Sequence, residues 1–309
     1  MFELIISRPK SNRMNIKNFP CLVVGGDGLV GSKLVERLRS MDSSVVATTR
    51  RTSKVDKNAV RLDLSSNLDI SSWAYPMEGG WVFLCAGITS IAACEVEPRI
   101  SHQINVTNTL ALARRLYASR TRIIFLSSNA VFDGSVVRPE EDGSYCPSTE
   151  YGRQKVAVEE ELISLSGGAG SVAIVRLSKV LTSTSGMTKD FIKRLSSHES
   201  CSAFDDLRIS PVSLSYVLDA ILAIATSKHD GVFHLSGADE MTYADFARRL
   251  ATCTGASQDL VRPLSSMDSE VKIFFRPEHP ALGMKRTHQL LGIRPEPTTH
   301  LLEQLVAGN

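Results

Sequence analysis

The stretch Cys21-Leu22-Val23-Val24-Gly25-Gly26-Asp27-Gly28-Leu29-Val30-Gly31 decides the fold. Its first four residues form an apolar run suited to a strand covered on both faces. Glycines follow at 25, 28 and 31, and Val30, Leu34, Leu38 and Met41 then recur at helical spacing. Strand, glycine turn and helix together make a dinucleotide cradle. A turn this tight, with its backbone against a pyrophosphate, has no room for a Cβ. The helix start offers free N–H groups and a partial positive charge to the phosphates. The spacing G-x-x-G-x-x-G departs from the G-x-G-x-x-G fingerprint, so the flanking strand and helix carry the reading.

The next strand, Ser44 to Thr48, is rich in β-branched residues and leads into Thr49, Arg50 and Arg51. A site for NAD keeps a carboxylate here for the ribose 2′-hydroxyl. This chain has two guanidinium groups instead, which suit a bidentate grip on a 2′-phosphate and point to NADP.

Outward from this unit the alternation continues. Trp81 to Cys85, Ile123 to Leu126 and Ser171 to Leu177 read as strands; Ile104 to Leu116 and Gln154 to Leu162 read as helices. Such alternation predicts parallel strands joined by right-handed crossovers. Past Leu181 the rhythm loosens. Thr182 to Met187 reads as a loop, Leu214 to Leu222 as a helix and Gly231 to Leu235 as a strand. Thr242 and Asp245 read as a capping box, and a last helix starts near Thr299. The expectation is a Rossmann-type, doubly wound parallel sheet of the α/β class with a smaller C-terminal α+β substrate region. Its parts are a flexible extension over 1–19, an NADP-binding domain over 20–181 carrying the catalytic residues, and a substrate region over 182–309. The chain is free to cross between the last two.

Composition excludes several classes. The 309 residues carry a net charge of +2 with no Lys/Arg run, which argues against a nucleic-acid binder. No apolar run has the length of a membrane span. The Leu4-Ile5-Ile6 stretch precedes its charges, the reverse of a signal peptide, and residues 1–13 read as dispensable. Cys21, Cys85, Cys94, Cys146, Cys201 and Cys253 are scattered, as expected of buried free thiols in the reducing cytoplasm. No metal-ligand spacing occurs. His234 reads as a satisfied core residue, and Glu159-Glu160-Glu161 as a solvated helix face.

Further motifs follow in order: Leu62-Asp63-Leu64, Ala86-Gly87-Ile88-Thr89, Cys94-Glu95, Ile104-Asn105-Val106, Ser127-Ser128-Asn129-Ala130-Val131-Phe132-Asp133-Gly134 and Tyr151-Gly152-Arg153-Gln154-Lys155. With the glycine loop, they resemble the extended short-chain dehydrogenase/reductases, and within them the dTDP-4-dehydrorhamnose reductase-like group, from about residue 20 to 305. The resemblance implies reduction of a keto group on a nucleotide-linked sugar by NADPH. It implies cofactor contacts from Gly25, Asp27, Gly28, Leu29, Val30 and Gly31, from Arg50 and Arg51, and from Asp63 and Leu64 near the adenine. Ala86, Gly87 and Ile88 would lie under the nicotinamide-side ribose, with Asn105, Tyr151, Lys155 and Ser178 completing the set. Substrate contacts are expected from Ser128, Asn129, Val131, Tyr151 and Arg208. A homodimer is carried as an open expectation. Three positions depart from the group: Asn129-Ala130 replaces an Asp-Tyr pair, Lys179 an aromatic, and Tyr216 an acid.

The catalytic set is Ser128, Tyr151 and Lys155. Tyr151 and Lys155 are four residues apart, hence one turn apart on one helix face. Ser128 lies just past the C-terminal end of a strand, the edge where such sheets bind ligands. Carbonyl reduction brings hydride to carbon and a proton to oxygen. A phenol can deliver that proton if an ammonium such as Lys155 draws its pKa down, while Ser128 holds the oxygen. Two alternatives stay open: a nucleotide-sugar epimerase or dehydratase, and a non-catalytic NADP-binding regulatory subunit.

Overall fold

The structure is a computed structural model and describes residues 20–73, 79–165, 171–184, 186–227, 229–270 and 272–308. The stretch 1–19, read from the sequence as a flexible extension, lies outside them. The order is β1 (Cys21–Val24), α1 (Leu29–Ser40), β2 (Val45–Thr49), β3 (Ala59–Arg61), α2 (Asn67–Ser72), β4 (Trp81–Leu84), α3 (Ile91–Val96), α4 (Pro98–His102), α5 (Thr109–Ala118), β5 (Arg122–Ser128), α6 (Glu150–Ser164) and β6 (Ser171–Leu177). The strand Gly231–Leu235 joins the edge of β6. The seven-stranded sheet runs from that strand through β6, β5, β4, β1 and β2 to β3, all parallel.

Strand alternation explains the two cores. Cys21 and Val23 of β1 face α1 residues Leu34 and Leu38 and the helix Leu214–Thr226. Leu22 and Val24 face the other way, onto Leu112 and Leu116 of α5 and Val158 and Leu162 of α6. A strand buried on both sides has no polar positions, hence the continuous apolar runs. A third cluster joins Phe191, Leu195, Ile209, Phe246, Leu250 and Leu301. The capping box is present, with Asp245 N–H donating to Thr242 Oγ1 at 3.0 Å, and the last helix is Thr298–Val306.

Three details differ from the sequence reading. The helix expected over 104–116 is two pieces, because Gln103–Asn108 takes a π-helical turn before α5. A π turn is a frequent mark of functional sites; here Asn105 Nδ2 donates to Ile88 O and Asn108 Nδ2 to Leu64 O. The segment 182–187, read as a loop, gives way to a helix already at Gly186, running to Ser196.

The third difference is Glu159, read as part of a solvated face but fully buried. Its carboxylate accepts from Arg176 Nη2 at 2.7 Å and Nε at 3.0 Å, from Tyr145 Oη at 2.9 Å, and from Ser127 Oγ. Arg176 reaches His234 Nε2 at 3.2 Å, while His234 Nδ1 meets Gly283 O at 2.7 Å. Burial and the neighbouring guanidinium push His234 down to about 4, so the ring is neutral at physiological pH. His234 is thus the satisfied core residue expected.

Breaking a buried ion pair leaves one charge uncompensated, at about 3–5 kcal/mol. Arg176→Leu should lower unfolding free energy by that amount in urea titrations. Arg176→Met with Glu159→Leu should regain most of it. A loss below about 1 kcal/mol for the single variant would show the pair to be incidental.

Candidate active site

The chain returns beside β1 after β3, so the sheet order reverses between β1 and β4. Loops leaving neighbouring strands at that point part and open a crevice at the C-terminal edge. Gly25 lies in it with φ +92°, and a Cβ there would fall 2.7 Å from Ala86 N. At Gly31 a Cβ would fall 2.2 Å from Gly25 O. Helix α1 starts at Gly28 with no side-chain cap, leaving its first N–H groups for a ligand. These are the conditions of a phosphate cradle.

The sequence showed no acid at the end of β2, yet the fold brings one there from the glycine loop. Asp27 accepts from Thr49 Oγ1 at 2.6 Å and pairs with Lys54 Nζ at 3.2 Å. The Thr49 hydrogen bond, with Lys54 and Arg51 after it, holds its pKa below the usual carboxylate range against the cost of burial. Lys54 therefore balances the charge of Asp27. Arg50 and Arg51 are exposed beside this pair. Asp63 accepts from Ser65 N and Oγ at 2.9 and 2.8 Å. Leu64 is buried and gives its carbonyl to Asn108.

Asn105 is a clamp on the neighbouring loop. It accepts from Ile88 N at 2.7 Å and donates to Ile88 O at 2.9 Å and Gln154 Oε1 at 2.8 Å. Its amide is fully engaged, so it shapes the Gly87-Ile88 turn rather than reaching into the cavity.

Helix α6 carries Tyr151 and Lys155 to the end of β5, where Ser128 stands. The Ser128 hydroxyl accepts from Ala130 N at 3.2 Å. Burial pushes the Tyr151 phenol well above the ordinary tyrosine range, the neighbouring Cys94 adds to this, and a hydrogen bond with Ser128 opposes it. The expectation that Lys155 draws the phenol down is therefore not met in the protein alone: burial raises it, and the group that opposes the rise is Ser128. Lys155 Nζ donates to Leu126 O at 2.8 Å and sits 4.5 Å from the Phe125 ring centre. Burial lowers its pKa to about 8, with Glu159 resisting.

All three line one cavity of about 660 Å³, together with Gly28, Leu29, Val30, Ala86, Gly87, Asn129, Ser178 and Arg208. That volume suits a small-molecule site. Ser178 Oγ is buried without a partner among the described residues, as a hydroxyl completed by a ligand would be. Val131 is a correction: it is fully buried against Phe132 and Leu282 and does not face the cavity. Tyr216 does not face it either, since its hydroxyl donates to Arg294 O at 2.7 Å. Asn129 anchors a strap, donating from Nδ2 to Pro280 O at 3.0 Å. The strap itself brings Lys272, Phe274 and Phe275 to the cavity, with Lys179 and Tyr243 beside them. Sequence reasoning missed the strap; its only signal was Ile273-Phe274-Phe275 in a proline-punctuated tail. Among the described residues, no group of His, Cys, Asp and Glu could hold a metal ion.

The fold is the one that the resemblance to the extended short-chain dehydrogenase/reductases implies. Residues 20–308 match the family described as RmlD substrate binding domain, and the chain belongs to it. It is 29% identical over 267 residues to a dTDP-4-keto-6-deoxy-D-glucose reductase of Streptomyces niveus, covering 85% of this chain and 88% of that protein. It is 25% identical over 284 residues to methionine adenosyltransferase 2 subunit beta of Bos taurus, covering 90% and 84%. A dTDP-4-dehydrorhamnose reductase from Bacillus anthracis, solved with NADP, superposes with a TM-score of 0.80 at 18% identity, covering 94% and 99% of the two chains.

The lowered pKa of Lys155 sets a pH dependence. Its ammonium is present below about 8 and lost as pH rises through that value. Affinity for a dinucleotide that uses this donor should therefore fall above about 8. Fluorescence titrations of reduced dinucleotide from pH 6 to about 10 read this directly. A flat profile, or one unchanged in Lys155→Met, would remove Lys155 from the binding site.

Proposed function

We propose that this protein is an NADPH-dependent reductase of a keto group on a nucleotide-linked sugar. One observation carries the reading. A single cavity is lined by the glycine loop, by Ser128, Tyr151 and Lys155, and by Lys179, Arg208 and Lys272, with no Asp or Glu among the described lining residues. A cavity of that charge suits a phosphorylated ligand. A relative named as a subunit, methionine adenosyltransferase 2 subunit beta, favours the second reading, a non-catalytic NADP-binding subunit with a regulatory role.

The residues divide the work as follows. The backbone of Gly25 to Gly31 holds the pyrophosphate, and Arg50 and Arg51 the 2′-phosphate. Lys155 Nζ keeps one donor on Leu126 O and offers the others to a ribose hydroxyl. NADPH, when bound, supplies the hydride. Tyr151, protonated at neutral pH because burial holds its phenol high, gives its proton to the carbonyl oxygen. Ser128 donates a hydrogen bond to the same oxygen and holds it in place. The charged Lys155 then stabilises the phenolate left behind.

The region 182–309 is the substrate side in this reading. Phe204, Leu207, Arg208 and the 272–280 strap line the cavity from there, while Leu214–Thr226 and Gly231–Leu235 return to the main sheet. No helix among the described residues is long and apolar enough to cross a membrane. All six cysteines are free, though Cys146 and Cys253 are exposed. That suits the cytoplasm.

Arg50→Ala with Arg51→Ala should weaken NADPH binding by about 1–3 kcal/mol and leave NADH binding little changed. Equal losses for both cofactors, measured by titration, would remove the 2′-phosphate assignment.

Tyr151→Phe should keep fold and dinucleotide affinity while turnover on 4-keto nucleotide sugars falls about 10²–10⁴-fold. Near-full turnover in that variant would overturn the catalytic reading. Dinucleotide binding without turnover in the unaltered protein would favour the regulatory one.

A further inference from the structure

The cavity is lined by three cations that the reaction above leaves unused, Lys179, Arg208 and Lys272. Lys179 follows Ser178 just past β6, and Leu177 is the register partner of Ser128 on β5. Its backbone N–H donates to Ser210 O at 3.3 Å, which ties Lys179 to the segment that carries Arg208. It therefore stands on the sheet edge of the reacting centre.

The other lining cations have partners. Lys155 is bonded to Leu126 O, Lys272 Nζ lies 4.8 Å from the Phe274 ring centre, and Arg208 is 3.7 Å from Glu240. For Lys179 the structure shows neither an ion pair nor a side-chain hydrogen bond among the described residues. Lys179 lines the cavity and is exposed to it, while the protein around its stem pushes its ammonium below the ordinary lysine range. Beside it the buried Ser178 hydroxyl has no partner among the described residues, and no carboxylate of those residues lines the cavity. An exposed cation without a counter-charge, on a cavity wall that carries no acid, is free to pair with an anionic group of a ligand.

Resting on the reductase reading, we propose that the substrate is an acidic nucleotide sugar, whose sugar ring carries a carboxylate that pairs with Lys179. Arg208 and Lys272 remain for the diphosphate. Position separates the two roles: Lys179 is two residues past the strand partner of Ser128, so its charge belongs beside the reacting sugar.

The test is calorimetric titration of the full chain saturated with NADP. The ligands are glucose and glucuronate, each linked to UDP and to dTDP. The glucuronate member of the better-bound pair should bind at least about tenfold tighter, as a charge-assisted hydrogen bond allows. Lys179→Met should bring the two members within about twofold, and Lys179→Arg should keep the preference. Near-ultraviolet circular dichroism checks that both variants are folded. Equal affinities in the unaltered protein would overturn the proposal. So would equal weakening of both members by Lys179→Met, which would assign Lys179 to the diphosphate. Either result leaves the reductase reading standing, because nucleotide sugars still bind. If the protein binds NADP and no nucleotide sugar at all, both fall together.

Discussion

Two loops leave the adjacent parallel strands β1 and β4 at the same edge, and they touch. The contact at Gly25 against Ala86 leaves no space for a side chain on the glycine. Everything functional follows from that approach. It brings the start of α1, with its uncapped N–H groups, next to Ala86 and Gly87, and so joins the glycine loop to Ser128, Tyr151 and Lys155 in one cavity. A residue larger than glycine would force the strands apart or push the cradle off its helix axis. Beyond that contact the chain paths from β1 and β4 lead to opposite sides of the sheet, and the crevice opens where they part.

Buried polar fastenings hold this arrangement in register. Asn105, turned inward by the π-helical segment, clamps both backbone groups of Ile88 and reaches Gln154 on α6. Glu159, one turn beyond Lys155 on the same helix, is locked to Arg176 on β6 and to Ser127 next to Ser128. Helix α6 is therefore pinned to β6, to the end of β5 and to the Ile88 turn by directional bonds. Such bonds cost desolvation and return geometry. Glu159 also favours the charged form of Lys155, which burial alone would discharge more fully.

Much of this was legible in the sequence where the signal is local. The apolar run and glycines of 21–31, the four-residue step from Tyr151 to Lys155, and Ser128 past a strand need no distant partner to be read. The parts that escaped depend on tertiary contact. Glu159 sits in a run of three acids, and nothing local tells which of them meets Arg176, 17 residues away on a strand. Asp27 was legible as a loop residue, but its approach to Thr49 across 22 residues was not. Val131 sits only three residues from Ser128, yet its side chain turns inward to Phe132 and Leu282. The strap over 272–280 has no periodicity; it is held by Asn129 and by His279 N–H on Gly134 O, contacts that no pattern announces.

The central claim is that one cavity brings hydride donor, proton donor and keto sugar together. A single-turnover experiment addresses it most directly: protein loaded with one equivalent of NADPH is mixed rapidly with 4-keto nucleotide sugars, neutral and acidic, while nicotinamide absorbance is followed. The account predicts loss of that absorbance in step with formation of one equivalent of the sugar alcohol. Stoichiometrically bound NADPH that stays reduced in the presence of every such sugar would contradict it.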